Sequence, residues 1–90
     1  MILDKTLSIP SYIMFQEFDS EGILLDIRNQ EHFGLDPISS LFLKSIQNKL
    51  CVKKACALIL EEYDVESEQL YKDLNKLINT LLEHELIEVS

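Results

Sequence analysis

The stretch that decides the fold is Ile23-Leu24-Leu25-Asp26-Ile27-Arg28-Asn29-Gln30-Glu31-His32-Phe33-Gly34-Leu35-Asp36-Pro37. Two short apolar runs, Ile23 to Ile27 and His32 to Leu35, flank Arg28-Asn29-Gln30-Glu31, and such spacing reads as two strands joined by a turn. Asp36-Pro37 then changes the periodicity. Asp caps a helix well, and Pro is accommodated at the first helical position because its missing N–H would be unsatisfied there anyway. One short segment therefore ends a sheet and starts a helical half.

Upstream, Tyr12-Ile13-Met14-Phe15-Gln16-Glu17-Phe18 is a third run, separated from Ile23 by Asp19-Ser20-Glu21-Gly22. Together the three runs predict an antiparallel meander over about residues 11–35. Downstream, Ile38, Leu41, Phe42, Leu43 and Ile46 recur at helical spacing up to Asn48-Lys49. A second helix is expected from about Val52 to Tyr63, with Val52, Ala55, Cys56, Ile59 and Leu60 as its apolar stripe and Cys51, a poor cap, before it. Asp64-Val65-Glu66-Ser67 connects to a third helix, offering Asp64 or Ser67 as its cap, and that helix reaches Leu82 or Glu83. The tail Leu86-Ile87-Glu88-Val89 either forms a short strand or covers the core. The expected fold class is α+β, a three-stranded antiparallel sheet followed by three helices at about 37–84. The 90 residues are expected to form one domain spanning 1–90.

The third helix is broader in its apolar face than a single core contact needs. Leu70, Leu74, Leu77 and Leu81 fall within about 60° of one another, and Tyr71, Ile78 and Leu82 form a row about 90° further round. The whole arc, about 140°, exceeds the roughly 100° of an ordinary core-facing stripe. Deep enclosure in a small core accounts for such an arc, and so does an open groove for a partner.

Charge and composition narrow the partners. Eight basic side chains stand against 16 acidic ones, for a net charge of −8. Nucleic-acid binding is driven by Lys and Arg neutralising phosphates, so neither a nucleic acid nor an anionic membrane is an expected partner. No apolar run approaches the ~20 residues of a membrane-spanning helix, and the N-terminus lacks a signal-peptide pattern. Reduced thiols and a cytoplasmic location are expected.

Nothing assembles a catalytic or metal site. His32 lies in a predicted strand and His84 in the last turn of a helix, where it meets the helix dipole favourably. Cys51 and Cys56 are about 140° apart round one helix axis and cannot face one ion. Cys56 reads as a small buried apolar residue. Glu61-Glu62 and Glu66-Ser67-Glu68 flank helix ends, where acidic runs are solvated surface, and two glycines cannot build a phosphate loop. No catalytic residue, metal or cofactor is expected.

Leu24-Leu25-Asp26 followed by Phe33-Gly34-Leu35-Asp36 resembles the strand, turn and strand of the pyrroloquinoline quinone synthesis protein D family. Its members carry an apolar residue with Leu-Asp, a short turn, an aromatic and then Leu-Asn. Leu60-Glu61-Glu62-Tyr63-Asp64-Val65 fits the same pattern, as does the spacing to Asp73-Leu74 and to Leu86-Ile87, so the resemblance runs from about Ile23 to Ile87. The chain departs from the pattern at Leu43, where the family often has Trp, at Cys51, where it favours Ser or Thr, and at Glu85, where it commonly has Gly. Gly suits the left-handed conformation that ends many helices, so the resemblance does not fix the exit of the third helix.

The resemblance implies a winged helix-turn-helix-like fold acting as a recognition element for the leader segment of a ribosomal precursor peptide, as in lasso peptide and quinone cofactor pathways. It implies that the leader adds as a strand to the third predicted strand, lies against the third helix, and is presented to a leader peptidase or modifying enzyme. The edge would comprise Gln30, Glu31, His32, Phe33, Gly34 and Leu35. Alternation points Phe33 and Leu35 one way, toward the groove floor and the core, and His32 and Gly34 the other. On the helix, Leu70, Leu74 and Leu77 flanked by Asp73 form one candidate wall, and Tyr71 with Ile78 the other. The residues alone do not choose between them; matching Asp73 to the family pattern favours the first. Asp73 either receives a hydrogen bond or charge from the leader or is ordinary solvated surface. A winged-helix DNA-binding regulator and a small adaptor that dimerises through the strand edge are the alternatives.

Overall fold

A computed structural model describes residues 3–89; the ends of the expected 1–90 span, at 1–2 and 90, lie outside it. In chain order the elements are β1 (Leu7–Ser8), β2 (Ile13–Phe18), β3 (Glu21–Asp26), β4 (Glu31–Leu35), α1 (Pro37–Gln47), α2 (Val52–Glu62), α3 (Ser67–Glu83) and β5 (Glu88–Val89). The expected α+β arrangement is present: an antiparallel sheet ordered β2-β3-β4 precedes three helices. The tail residues Glu88 and Val89 do form a strand, antiparallel to β1, while Leu86 and Ile87 are buried. Sequence reading missed β1, because two residues, Leu7 and Ser8, carry no periodicity.

The β2–β3 hairpin turns on Asp19 and Ser20, with φ of 47° and 70°. Positive φ at both central residues matches the right-handed twist of the strands they join. Gly22, read from sequence as part of this turn, instead lies in β3 opposite Glu17. The β3–β4 connection is longer: Gln30 has φ 60°, its N–H donates to the Asp26 carbonyl at 2.8 Å, and Asn29 Oδ1 accepts from Glu31 N at 3.1 Å.

Each helix begins differently. Asp36 caps α1 as expected, its Oδ1 accepting from Ser39 N at 2.8 Å. Cys51 precedes α2 without a side-chain cap. Main chain replaces it: the Lys5 carbonyl accepts from Val52 N at 3.1 Å and the Leu3 carbonyl from Lys53 N at 2.8 Å. Two of the donors that every helix start leaves orphaned are thereby satisfied by the N-terminal segment. For α3, neither Asp64 nor Ser67 caps. The cap position is Glu66, Ser67 is already helical, and no side chain bonds there. Residues 66–69 are exposed, so water can take those amides.

Helices α1 and α3 end alike. After α1, Lys49 (φ 63°) donates to the Ile46 carbonyl at 2.9 Å and Leu50 to Ser45 at 3.1 Å. After α3, Glu85 (φ 58°) donates to Leu82 at 3.1 Å and Leu86 to Leu81 at 2.8 Å. Both are Schellman endings, with a left-handed residue just beyond the cap. Glu85 therefore adopts the conformation that Gly would adopt more easily.

One core unites the elements. Leu24 and Leu35 of the sheet meet Phe42, Leu43 and Ile46 of α1 and Val52, Ala55 and Ile59 of α2. From α3 the buried row is Leu70, Leu74, Ile78 and Leu81. The stripe thus runs through Ile78 rather than Leu77, which is half-buried at its margin. Cys56 is buried as expected, and burial pushes its thiol pKa up.

Candidate functional site

The site rests on which strand edge is free. In antiparallel sheets, hydrogen-bonded and non-hydrogen-bonded pairs alternate, so each residue points both main-chain groups to one side. The Ile27 N–H donates to the Tyr12 carbonyl at 3.0 Å. Ile27, and by alternation Leu25 and Ile23, therefore face β2, while Asp26, Leu24 and Gly22 face β4. Their registered partners on β4 are Glu31, Phe33 and Leu35. His32 and Gly34 consequently turn their N–H and C=O groups away from β3. Among the described residues no strand pairs with that side of β4.

Side chains follow the same alternation. Leu35 is buried and Phe33 partly buried against the core, whereas His32 and Gly34 are exposed. A β carbon built on Gly34 meets nothing within 4 Å. Gln30 and Glu31 are also exposed, but Gln30 belongs to the turn, since its left-handed backbone cannot continue an extended edge.

The residues just beyond the end of α3 lie near the start of β4, and the start of α3 lies near the residues just beyond the end of β4. The packing of β4 is chiefly to β3 and α1, and that of α3 is to α2. Two hollows mark the channel between them. One lies between Glu31, His32 and Phe33 at the start of β4 and His84 and Leu86 beyond the end of α3, with Leu24 and Asp26 at its floor. The other lies between Asp36 and Ile38 after β4 and Gln69, Leu70, Asp73 and Leu74 at the start of α3.

The second hollow takes in three of the helix residues named from sequence, Leu70, Asp73 and Leu74. Leu70 and Leu74 line the second hollow although both are core residues, 3% and 2% exposed. Asp73 is exposed at its rim, and its Oδ1 accepts from Gln69 Nε2 at 2.9 Å. Leu77 borders the core further along and lines neither hollow. Of the alternative wall, Ile78 is buried and Tyr71 is exposed, and neither lines a hollow beside β4.

Asp26, part of the first hollow's lining, belongs to a network that sequence reading passed over. Asp26, 3% exposed, receives a fork from Arg28: Nε to Oδ1 at 3.1 Å and Nη2 to Oδ2 at 2.9 Å, with the Arg28 N–H also on Oδ1 at 3.0 Å. The Arg28 side chain's hydrogen bond holds the Asp26 carboxyl below its ordinary pKa against the opposing effect of burial. The guanidinium lies 3.9 Å from the centroid of the Tyr12 ring and reaches Glu85 Oε1 at 3.1 Å. Tyr12 Oη donates to the Glu85 carbonyl at 3.0 Å. The Asp26-x-Arg28 spacing was the available signal; the distant partner Glu85 had none.

Chemically the channel offers main-chain hydrogen bonds, apolar surface and carboxylates. Among the described residues no group of three or more His, Cys, Asp or Glu side chains could hold a metal ion, and no helix is long and apolar enough to cross a membrane.

Comparison with known proteins agrees with this architecture. Residues 21–87 match the model of the family described as coenzyme PQQ synthesis protein D. The structure of TbiB1 in complex with the TbiA(beta) leader peptide is similar at 25% identity and a TM-score of 0.81, over 90% of this chain and 94% of that one. A lasso peptide synthetase B1 complexed with the leader peptide is similar in fold, at 21% identity and a TM-score of 0.78, over 91% of this chain and 96% of that one. No curated protein sequence matches the chain.

Proposed function

The chain belongs to the coenzyme PQQ synthesis protein D family, and from that premise we propose that it is a non-catalytic recognition domain for the leader segment of a ribosomal precursor peptide. The leader adds as a strand along the outer side of β4 and lies against α3, on the wall formed by Leu70, Asp73, Leu74 and Leu77. The domain then presents the precursor to a leader peptidase or modifying enzyme in the cytoplasm.

One observation carries the reading: His32 and Gly34 turn main-chain groups that pair with no strand among the described residues toward the side of the sheet where hollows of mixed apolar and carboxylate lining lie. An extended peptide gains hydrogen bonds from such an edge and specificity from adjoining pockets. The similar solved structures are of proteins bound to leader peptides, which supports the same occupant here. With a net charge of −8, a neutral or basic guest is favoured over a nucleic acid.

The test is fluorescence polarisation with a labelled synthetic peptide spanning the leader of any small precursor reading frame found beside the gene of this chain. Saturable binding at about micromolar concentration is expected. Folded protein showing no binding at tens of micromolar refutes the proposal. The vacant edge also suits a second copy of the chain, although like charge opposes it. Light scattering with and without peptide detects that competitor as a dimer that the leader dissolves.

A further inference from the structure

Glu85 combines an unfavourable backbone with two tethers. Its φ of 58° lies in the left-handed region, where a β carbon crowds the main chain and Gly is preferred. Yet its carbonyl accepts from Tyr12 Oη at 3.0 Å and its carboxylate from Arg28 Nη1 at 3.1 Å. Tyr12 precedes β2 and Arg28 sits in the β3–β4 turn, so both tethers cross from the sheet to the exit of α3.

The chain neighbours of Arg28 and Glu85, namely Asn29, His84 and Leu86, line the first hollow. Asp26, which Arg28 grips by its fork, lies at the floor near Glu31 and His32, whereas His84 and Leu86 flank Glu85 on the opposite wall. The bridge from Arg28 to Glu85 therefore spans the two walls. Arg28 is itself oriented by Asp26 and by the Tyr12 ring, so it cannot swing freely away from this geometry.

We propose that Glu85 is a positioning residue for peptide binding: through Arg28 and Tyr12 it fixes the separation between the β3–β4 turn and the end of α3, and so presets the width of one end of the groove. The inference rests on the leader-binding reading above. Its physical content is preorganisation, in which a guest loses less free energy on binding because the walls need no ordering.

The Glu85→Gly variant separates this role from simple structural support. Gly relieves the left-handed backbone while removing the carboxylate, so folding and binding are expected to move in opposite directions. The thermal midpoint stays level or rises, and the dissociation constant for the labelled leader rises about fivefold or more. Glu85→Gln keeps an acceptor for Arg28 and restores part of the affinity. Tyr12→Phe removes a tether that lies outside the hollow and weakens binding in the same direction, which direct contact with Glu85 alone would not produce. Wild-type affinity in Glu85→Gly overturns the positioning role and leaves the leader reading standing. Parallel loss of midpoint and affinity also overturns it, since Glu85 would then act on stability alone. Absence of leader binding by the wild-type protein overturns both.

Discussion

Gly22 of β3 and Ser40 of α1 approach so closely that a β carbon on Gly22 would lie 2.5 Å from Ser40 Oγ. It would also lie 2.9 Å from Phe15 Cε1 and 3.3 Å from the Gln16 carbonyl oxygen. The glycine lets the first helix sit down on the middle strand. Ser40 is buried, and its hydroxyl has no hydrogen-bond partner. Gly22→Ala is expected to lower stability by about 1–3 kcal/mol, as overpacked cores do. Ser40→Ala removes the nearest atom and an unsatisfied hydroxyl, so it should be neutral or stabilising and should rescue part of the Gly22→Ala loss. Urea unfolding midpoints of the two single variants and the double variant check this.

Leu74 and Leu77 lie one turn apart on α3 but test different things. Leu74 is 2% exposed, so Leu74→Asp buries a carboxylate without a partner. Such a change is expected to unfold much of the protein and to abolish binding for that reason alone. Leu77 is half-buried, and Leu77→Asp can turn its charge to water. Circular dichroism should show a folded Leu77→Asp protein, while polarisation should show leader affinity weakened about tenfold. A folded Leu77→Asp variant with unchanged affinity would remove Leu77 from the groove.

The Leu77 and Ile78 pair also shows how far sequence reasoning carries. The width of the apolar arc was legible from the spacing of Leu70 to Leu82, as were the three strands, the three helices and the Asp36 cap. The phase of the arc was not, because which residues face the core depends on where α2 packs. Nor was β1: Leu7–Ser8 exists because Glu88–Val89 returns to pair with it. The candidate site divides the same way. Alternation correctly pointed Phe33 and Leu35 inward and His32 and Gly34 outward. Gln30 reads as part of the edge because nothing in its identity announces a φ of 60°. Glu85 conceals its role most fully, since an exposed acidic residue after a helix gives no sign of partners at Tyr12 and Arg28.

Asp26 should impose an acid limit on stability. Its carboxyl is held below its ordinary pKa chiefly by the side-chain hydrogen bond from Arg28. A depressed folded pKa contributes stability that is fully present above the unfolded value of about 4 and is lost as pH falls through the folded value. Stability of the wild-type protein should therefore decline below about pH 4, and Asp26→Asn should show a shallower decline in that window, from a lower starting point at neutral pH. Chemical denaturation across that pH range measures it; identical slopes for the two proteins would exclude Asp26 as a source.

Strand addition at β4 is tested most directly by the leader affinities of Gly34→Pro and Gly34→Ala. Proline removes the outward N–H and places its ring at the vacant side, which an edge strand tolerates because no internal hydrogen bond is lost. Alanine keeps the N–H, and its β carbon enters open space. The account predicts two folded proteins, with the proline variant binding the labelled leader about tenfold or more weakly than the alanine variant. Equal affinities for the two would contradict it.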